Sequence, residues 1–396
     1  MKNSPFSAQE WIHILLRQQG LLQPPVSLEA AVQQLGYVQI DSINVVQRAH
    51  HHVLHSRLSH YQPQMLDDAI ASGQVFEYWA HAAAYLPMAD YRFSLYRKQQ
   101  LKQGERHWHE PDQRMMAQVL ARLRQEGPLT AADFNDEVKR RGSWWDWKPA
   151  KKALEQLFMQ GDVMALRRDN FQKVYDLTER VLPATVDTRL PDEAEFCRYL
   201  IRRYLQAHGF GTATQMGYLR KNIKAALQTE LNHMLEQGEL AQFSYQGKMH
   251  YFLPEITTSA VGTGNTVWLL NPFDNVLIQR ERLKQWFNFD YQIEVYVPAE
   301  KRRFGYYSLA ILWQTQMVGR VDVKADRASK TLLLQQLTLE EGAYDSHGLV
   351  NNSFIEAFEQ AVAAYTRFND CVRWKLVSCN DKLLKQHYRR LQYIQA

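Results

Sequence analysis

A local grammar that occurs three times constrains this chain more than any other feature. An amphipathic helix ends on glycine, and two short strands joined by a tight turn follow. It reads in LDDAIASGQVFEYWAHAAAYLP around Gly73, ALEQLFMQGDVMALRRDNFQKVYDL around Gly161 and LNHMLEQGELAQFSYQGKMHYFLP around Gly238. Glycine suits that place because a left-handed residue closes a helix without a Cβ clash. The alternation in VMALRRDNFQKVYDL, with a turn at Asp169-Asn170, predicts a hairpin, as does the turn near Gln246-Gly247. Further helical patterns precede the second and third units, over 111–126 and near 130–137, then over 191–208 and near 213–219. Helices followed by a hairpin are the order of a winged helix, a helix-turn-helix variant. Spacing between the units is uneven and their identity slight, so tandem domains are expected rather than a solenoid. The first unit is the least regular, because GYVQIDSINVV interrupts it.

After EITTSAVGTGNT, a connector by its Ser, Thr and Gly content, the pattern changes. VWLLNPFDNVLI, YQIEVYVPAEKRRFGYYSLAILW, QMVGRVDVKAD and TLLLQQLTLE read as strands. VYVPAEKRRFGYY reads as a hairpin with a basic tip at Lys301, Arg302 and Arg303. A terminal helix is expected in NNSFIEAFEQAVAAYTRFN, with Phe354, Phe358, Val362 and Tyr365 on one face. The expected architecture is α+β: winged helices over 1–105, 106–187 and 188–258, then a β-rich domain over 265–396 closed by helices.

With 396 residues the chain exceeds one ordinary core, and 45% hydrophobic against 22% charged residues is a globular balance. A net charge of +5 permits nucleic-acid binding without requiring it. Cys197, Cys371 and Cys379 form no C-x-x-C pair, which argues against a disulfide framework or a thiolate metal site. No apolar run reads as a signal peptide or a membrane span, so a reduced, cytoplasmic protein is expected.

His50, His51, His52 and His55 form the densest histidine group, with His51 and His55 one helical turn apart. No H-E-x-x-H glutamate accompanies them, so a polar helix face near phosphate is the preferred reading over a metal site. RRGSWWDWKPAKKALEQL interleaves Trp144, Trp145 and Trp147 with Arg140, Arg141, Lys148, Lys151 and Lys152. That pattern suits nucleic acid, with cations on phosphates and rings on sugars or bases. A core reading fits the tryptophans equally, and a merely solvated edge fits the lysines less well. Basic runs in EKRRFGYY, VGRVDVKADRASK and KLLKQHYRRLQY favour a DNA-binding channel when set beside three winged helices. Candidate DNA contacts are Arg48, His51, His55, Arg57, Trp144, Lys148, Lys151, Lys301, Arg302, Arg303 and Lys324. Within GYVQIDSINVV, local chemistry makes Gln39 a wet-face strand residue and Asp41 the N-cap of an amphipathic run.

Six stretches in order resemble one family: GYVQIDSINVVQRAHHHVLHSR, FEYWAHAAAYLP, SWWDWKPAKKALEQLF, VYDLTERVLP, LLNPFDNVLIQRERL and FDYQIEVYVPAEKRRFGYYSLAIL with VGRVDVKADR. They look like bacterial winged-helix DNA glycosylases of the AlkZ/YcaQ type. The likeness is nearest the YcaQ (AlkX) branch, which carries Gln-apolar-Asp where the AlkZ branch carries Gln-apolar-Gln. The resemblance implies a C-shaped protein around a DNA channel and hydrolysis of N-glycosidic bonds of N7-alkylated guanine. It also implies unhooking of interstrand crosslinks, catalysis by Gln39 and Asp41, and a β-hairpin entering DNA near the lesion.

An N7-alkylguanine already carries positive charge and leaves without a protein acid. One carboxylate therefore suffices to stabilise the cationic deoxyribose and activate water. Gln39, two residues earlier on an extended backbone, projects to the same side as Asp41. No lysine sits in the motif, which favours simple hydrolysis to an abasic site over a Schiff base. The expected enzyme is a monomer acting on double-stranded DNA without cofactor, metal or membrane. Its rivals are a non-catalytic winged-helix transcription regulator and a metal-dependent nuclease built on His50–His55.

Overall fold

The computed structural model describes residues 2–105, 110–135, 147–258 and 262–396. Helices and strands are mixed along the chain in an α+β arrangement. Each helix–glycine–hairpin unit forms as expected. The helices Pro63–Ala71, Trp147–Gln160 and Lys224–Glu236 lead into the hairpins β2–β3 (Val75–Trp79, Ala83–Pro87), β5–β6 (Val163–Asp169, Gln172–Leu177) and β8–β9 (Ala241–Tyr245, Lys248–Phe252). Gly73, Gly161 and Gly238 take φ of +69°, +81° and +71°, the left-handed geometry the helix ends require.

A two-residue strand joins each hairpin on the same side. β1 (Val38–Gln39), β4 (Leu129–Thr130) and β7 (Phe210–Gly211) pair with the second hairpin strand, giving the orders β1-β3-β2, β4-β6-β5 and β7-β9-β8. In the first sheet Val38 faces Tyr85 and Gln39 faces Ala84.

The C-terminal part is a six-stranded sheet in sequence order, β10 (Val267–Leu270), β11 (Ser308–Trp313), β12 (Gln316–Asp326), β13 (Thr331–Leu339), β14 (Arg373–Leu376) and β15 (Ile394–Gln395). Neighbours are antiparallel except β13 and β14, whose parallel pairing needs a crossover. The helix Asn352–Phe368 supplies it and buries Phe354, Phe358, Val362 and Tyr365 against the sheet. The opposite face packs Leu270, Ala310 and Leu312 with Trp11, Ile14 and Leu15 of the helix Ala8–Gln18. That first helix also buries Trp11 against Phe210, Phe243 and Phe252, so it packs on the third unit although it opens the expected 1–105 unit. Among the described residues no helix is long and apolar enough to cross a membrane.

Two local expectations are corrected. Residues 41–48 are not helical: the helix starts at Ala49 with Arg48 at its N-cap, so Asp41 caps no helix. The β-branched run is drawn out because Val46 is buried in the core of the six-stranded sheet, with Ile43 and Val45 packed beside it. VYVPAEKRRFGYY also forms no hairpin; it is a loop with one 3-10 turn at Ala299–Lys301. Its backbone bonds are local turns and, from Arg303 on, bonds to side chains instead of a ladder. The Glu294 carboxylate accepts from the amides of Arg303, Phe304 and Gly305, and Asp322 accepts from Tyr307 at 2.7 Å.

Candidate active site

β1 ends where the chain leaves the first sheet for the C-terminal sheet, and the polar pair stands at that exit. Gln39 is half-buried on β1. Its Oε1 accepts from Nε2 of His81, 3.0 Å away in the β2–β3 turn. An amide oxygen only accepts, so the ring nitrogen carries the proton and the Gln39 amino group points elsewhere. Burial, with Arg220 nearby, pulls His81 down to about 4, so the ring is neutral at pH 7.

Asp41 is half-buried too, and its Oδ1 accepts from the Ile43 amide at 2.8 Å in a local Asx turn. Partial burial raises its carboxyl above the usual range, and the Ile43 amide pulls the other way. Among the described residues no cation pairs with it. The segment therefore offers a partly desolvated carboxylate without a counter-ion among the described residues, two residues after an amide held by a histidine. A developing positive charge is what such a place stabilises.

The segment after Asp41 is stitched to the C-terminal sheet. Ala325 donates its amide to Val45 O at 3.0 Å, and Gln47 donates to Asn369 Oδ1 at 2.7 Å. Arg327, in the turn between β12 and β13, donates to both Asn44 O and Asn44 Oδ1 at 3.0 Å. This turn, rather than the loop at 301–303, is the one anchored beside the Gln39–Asp41 segment. Asp41 also lies close enough to Tyr307 to disfavour its ionisation. Tyr307 OH accepts from Asn271 at 2.9 Å, and Asn271 leads to His52.

The expected DNA contacts divide on this geometry. The Arg48 guanidinium sits 4.2 Å from the Phe171 ring centroid; its Nε is buried without a partner among the described residues, with Arg168 and Arg327 nearby. Arg57 is corrected: it is 2% exposed, ion-paired with Asp274 and bonded to Gln19 O and Val53 O, which leaves no donor face for a phosphate. His51 and His55 are half-buried. His51 Nδ1 meets Tyr61 OH at 2.6 Å, His55 stacks on Phe368 at 4.0 Å, and burial pulls both down to about 4. Neutral packed rings form no cationic phosphate face. His52 is buried and bonds Leu269 O at 2.8 Å. Among the described residues no group of three or more His, Cys, Asp or Glu could hold a metal ion.

Lys151, Lys301, Arg303 and Lys324 are exposed. Arg302 is half-buried, donating to Val297 O at 2.8 Å with its guanidinium 4.8 Å from the Tyr306 ring. Trp144 and the Lys148 side chain lie outside the described residues, as do Arg140, Arg141 and Trp145.

Sequence reasoning missed His81, Arg168 and Arg327. His81 was quoted within FEYWAHAAAYLP without a role; only the β1–β3 register brings it to Gln39. Arg168 carries a bidentate pair to Glu77 at 2.7 Å, which Lys173 joins at 3.1 Å, and so ties the β5–β6 hairpin to β2. An acid such as Glu77 in an apolar strand, buried at 3% exposure, was the available signal.

A family model described as DNA glycosylase AlkZ-like matches residues 32–368. Among solved structures, the Streptomyces sahachiroi DNA glycosylase AlkZ is similar with a TM-score of 0.65 and 17% identity, covering 96% of this chain and 100% of that chain. At that identity the likeness speaks for the fold. The family match runs from the helix before Gln39 to the end of the helix Asn352–Phe368, and by it the chain belongs to the AlkZ-like DNA glycosylases, enzymes that hydrolyse the bond between base and sugar in DNA.

Proposed function

We propose that the enzyme hydrolyses the N-glycosidic bond of N7-alkylated guanine, including guanine tethered in an interstrand crosslink, and leaves an abasic site. The observation that carries this reading is the Asp41 carboxylate, half-buried and, among the described residues, without a cationic partner, two residues from a Gln39 amide held by His81. The cationic base departs without protonation. Asp41 stabilises the oxocarbenium-like sugar and, as general base, takes a proton from the attacking water. Gln39 positions that water or the deoxyribose. Both side chains are half-exposed at the edge of a sheet, which suits a tethered base that cannot enter a closed pocket. The Gln39-Ile40-Asp41 triplet favours the YcaQ branch.

The architecture proposed with it is three winged helices over 1–105, 106–187 and 188–258 and a β-domain over 265–396, curved around DNA and acting as a monomer. The shared order of the three small sheets supports the winged-helix reading. Arg48, Lys151, Lys301, Arg302, Arg303, Lys324 and Arg327 are the proposed phosphate contacts. The transcription-regulator reading gives no role to an uncompensated carboxylate beside Gln39.

The test incubates protein with N7-methylguanine duplex and with a crosslinked oligonucleotide, then reads alkali-labile abasic sites. The wild type releases base from both; Asp41→Asn loses roughly 10²–10³-fold in rate while duplex affinity holds. Full activity in that variant would sink the assignment.

A further inference from the structure

A partly open cleft lies between the β2–β3 hairpin, the helix Tyr91–Lys102 and the helix Glu193–His208, with a cavity of about 110 Å³. Neither Gln39 nor Asp41 lines it, but His81 does. Three guanidiniums, Arg97, Arg203 and Arg220, share its wall with one carboxylate, Asp90. Asp90 is already committed: it pairs with Arg203 and accepts from Tyr199 OH at 3.1 Å. The amide of Gln279 is committed as well, accepting from Tyr204 OH and donating to Gln215 O, each at 3.0 Å.

Arg97 and Arg220 are left over. Among the described residues neither side chain forms an ion pair or a hydrogen bond, and Nε of Arg97 is buried without a partner. The Arg220 guanidinium sits 5.5 Å from the Phe196 ring centroid. Two like charges in one half-buried cleft are costly unless a ligand answers them. Paired guanidinium forks match the oxygens of a phosphate better than any other common anion. The space exceeds one water several-fold, enough for a phosphate group with part of an attached sugar.

We propose that this cleft is an oxyanion site in which Arg97 and Arg220 hold a phosphate group. The aromatic wall beside it reaches the candidate active site: the His81 ring stands edge-on to Tyr37 at 5.2 Å and to Tyr218 at 5.4 Å, and the same ring holds Gln39. The phosphate is a diester of the bound DNA strand, placed one side chain away from the Gln39 amide. That source rests on the glycosylase reading, whereas the oxyanion site does not; free inorganic phosphate is the other source of the same chemistry.

The test uses the full chain as wild type, Arg97→Gln and Arg220→Gln, with folding checked by circular dichroism. Inorganic phosphate is titrated at constant ionic strength and the melting temperature recorded. A saturating rise in the wild type, abolished in either variant, is expected. Because each variant removes an unanswered charge, both should melt no lower than the wild type without phosphate. Undamaged duplex then separates the sources: for a DNA phosphate, the slope of log affinity against log salt falls by about 0.9 in each variant. An unchanged slope with the phosphate effect lost keeps the site and assigns it to the free anion. No difference between wild type and variants in either measurement overturns the proposal. Neither arm uses a damaged base, so failure of base release leaves the result standing, and the converse holds.

Discussion

Nε2 of His81 stands 3.0 Å from Oε1 of Gln39, and this contact fixes which end of the amide is left for other partners. The neutral ring donates to the oxygen, so the amino group of Gln39 is free to donate toward a water or the deoxyribose. On the proposed reading of Gln39, His81 is a positioning residue that acts through it.

His81→Ala should slow single-turnover base release by about tenfold, the worth of one hydrogen bond. Duplex affinity should stay within error, since the contact is internal. His81→Gln, able to donate from a similar distance, should recover part of the rate. An alanine variant at the wild-type rate would show that the amide needs no anchor.

Asp41 makes a second prediction, about stability. Its folded carboxyl is raised by burial, so ionisation costs more in the folded chain than in the unfolded one. Its contribution is therefore most favourable below the ordinary value of 3.8 and is lost as pH rises through the folded value. At neutral pH Asp41→Asn should melt at or slightly above the wild type, because an amide oxygen still accepts from Ile43. A clearly lower melting point would mean that the carboxylate is structural. Activity of the wild type should fall on the acid side with an apparent pKa above 3.8, the mark of a base that must ionise.

Much of this architecture was legible because it is local. The three glycine-ended helices and their hairpins follow from period and turn chemistry, and each formed where the pattern put it. The helix Asn352–Phe368 followed from the spacing of Phe354, Phe358, Val362 and Tyr365. What failed depended on distant partners. SINVVQ looked amphipathic, but Val46 belongs to a core built from residues 267–388, and that burial overrides helix formation. The hairpin expected at 295–307 failed because Glu294 and Asp322 take its amides, contacts no period reveals. Gln39 and Asp41 came from a resemblance; their chemical setting, above all His81, needed the register of β1 on β3. Arg57 misled for a simple reason: its partner, Asp274, lies 217 residues away.

That pair carries the third prediction. Arg57 and Asp274 are both fully buried, with Nη2 donating to Oδ1 at 2.9 Å. Asp274→Ala leaves a guanidinium without its counter-ion and should cost roughly 3–5 kcal/mol, read by urea denaturation. Arg57→Met with Asp274→Leu should recover part of it, since both charges leave together while the Val276 amide and the Gln19 carbonyl still lose a partner. If the double variant is as unstable as the single, packing rather than charge dominates there. Remaining folded enzyme should keep its rate per molecule, because neither group faces DNA.

The helix Ala49–His55 predicts acid lability. Burial pulls His51 and His55 to about 4 and His52 to about 3, from an ordinary value of 6.5. As pH falls below 6.5 the unfolded chain takes up protons that the folded chain refuses. Stability is therefore full above 6.5 and is lost progressively toward 4, at no more than ~1.4 kcal/mol per pH unit for each such ring. His55→Phe isolates one contribution. The ring already stacks on Phe368 with an interplanar angle of 3°, and its Nδ1 is buried without a partner among the described residues. Phenylalanine keeps the stack and removes both the orphan nitrogen and the proton site. Denaturation at pH 7 and pH 5 should give a smaller stability loss in the variant than in the wild type, with the variant at least as stable at pH 7. Equal losses would mean that His55 exchanges protons with solvent in the folded enzyme, and that its stacked place on Phe368 opens at mild acid.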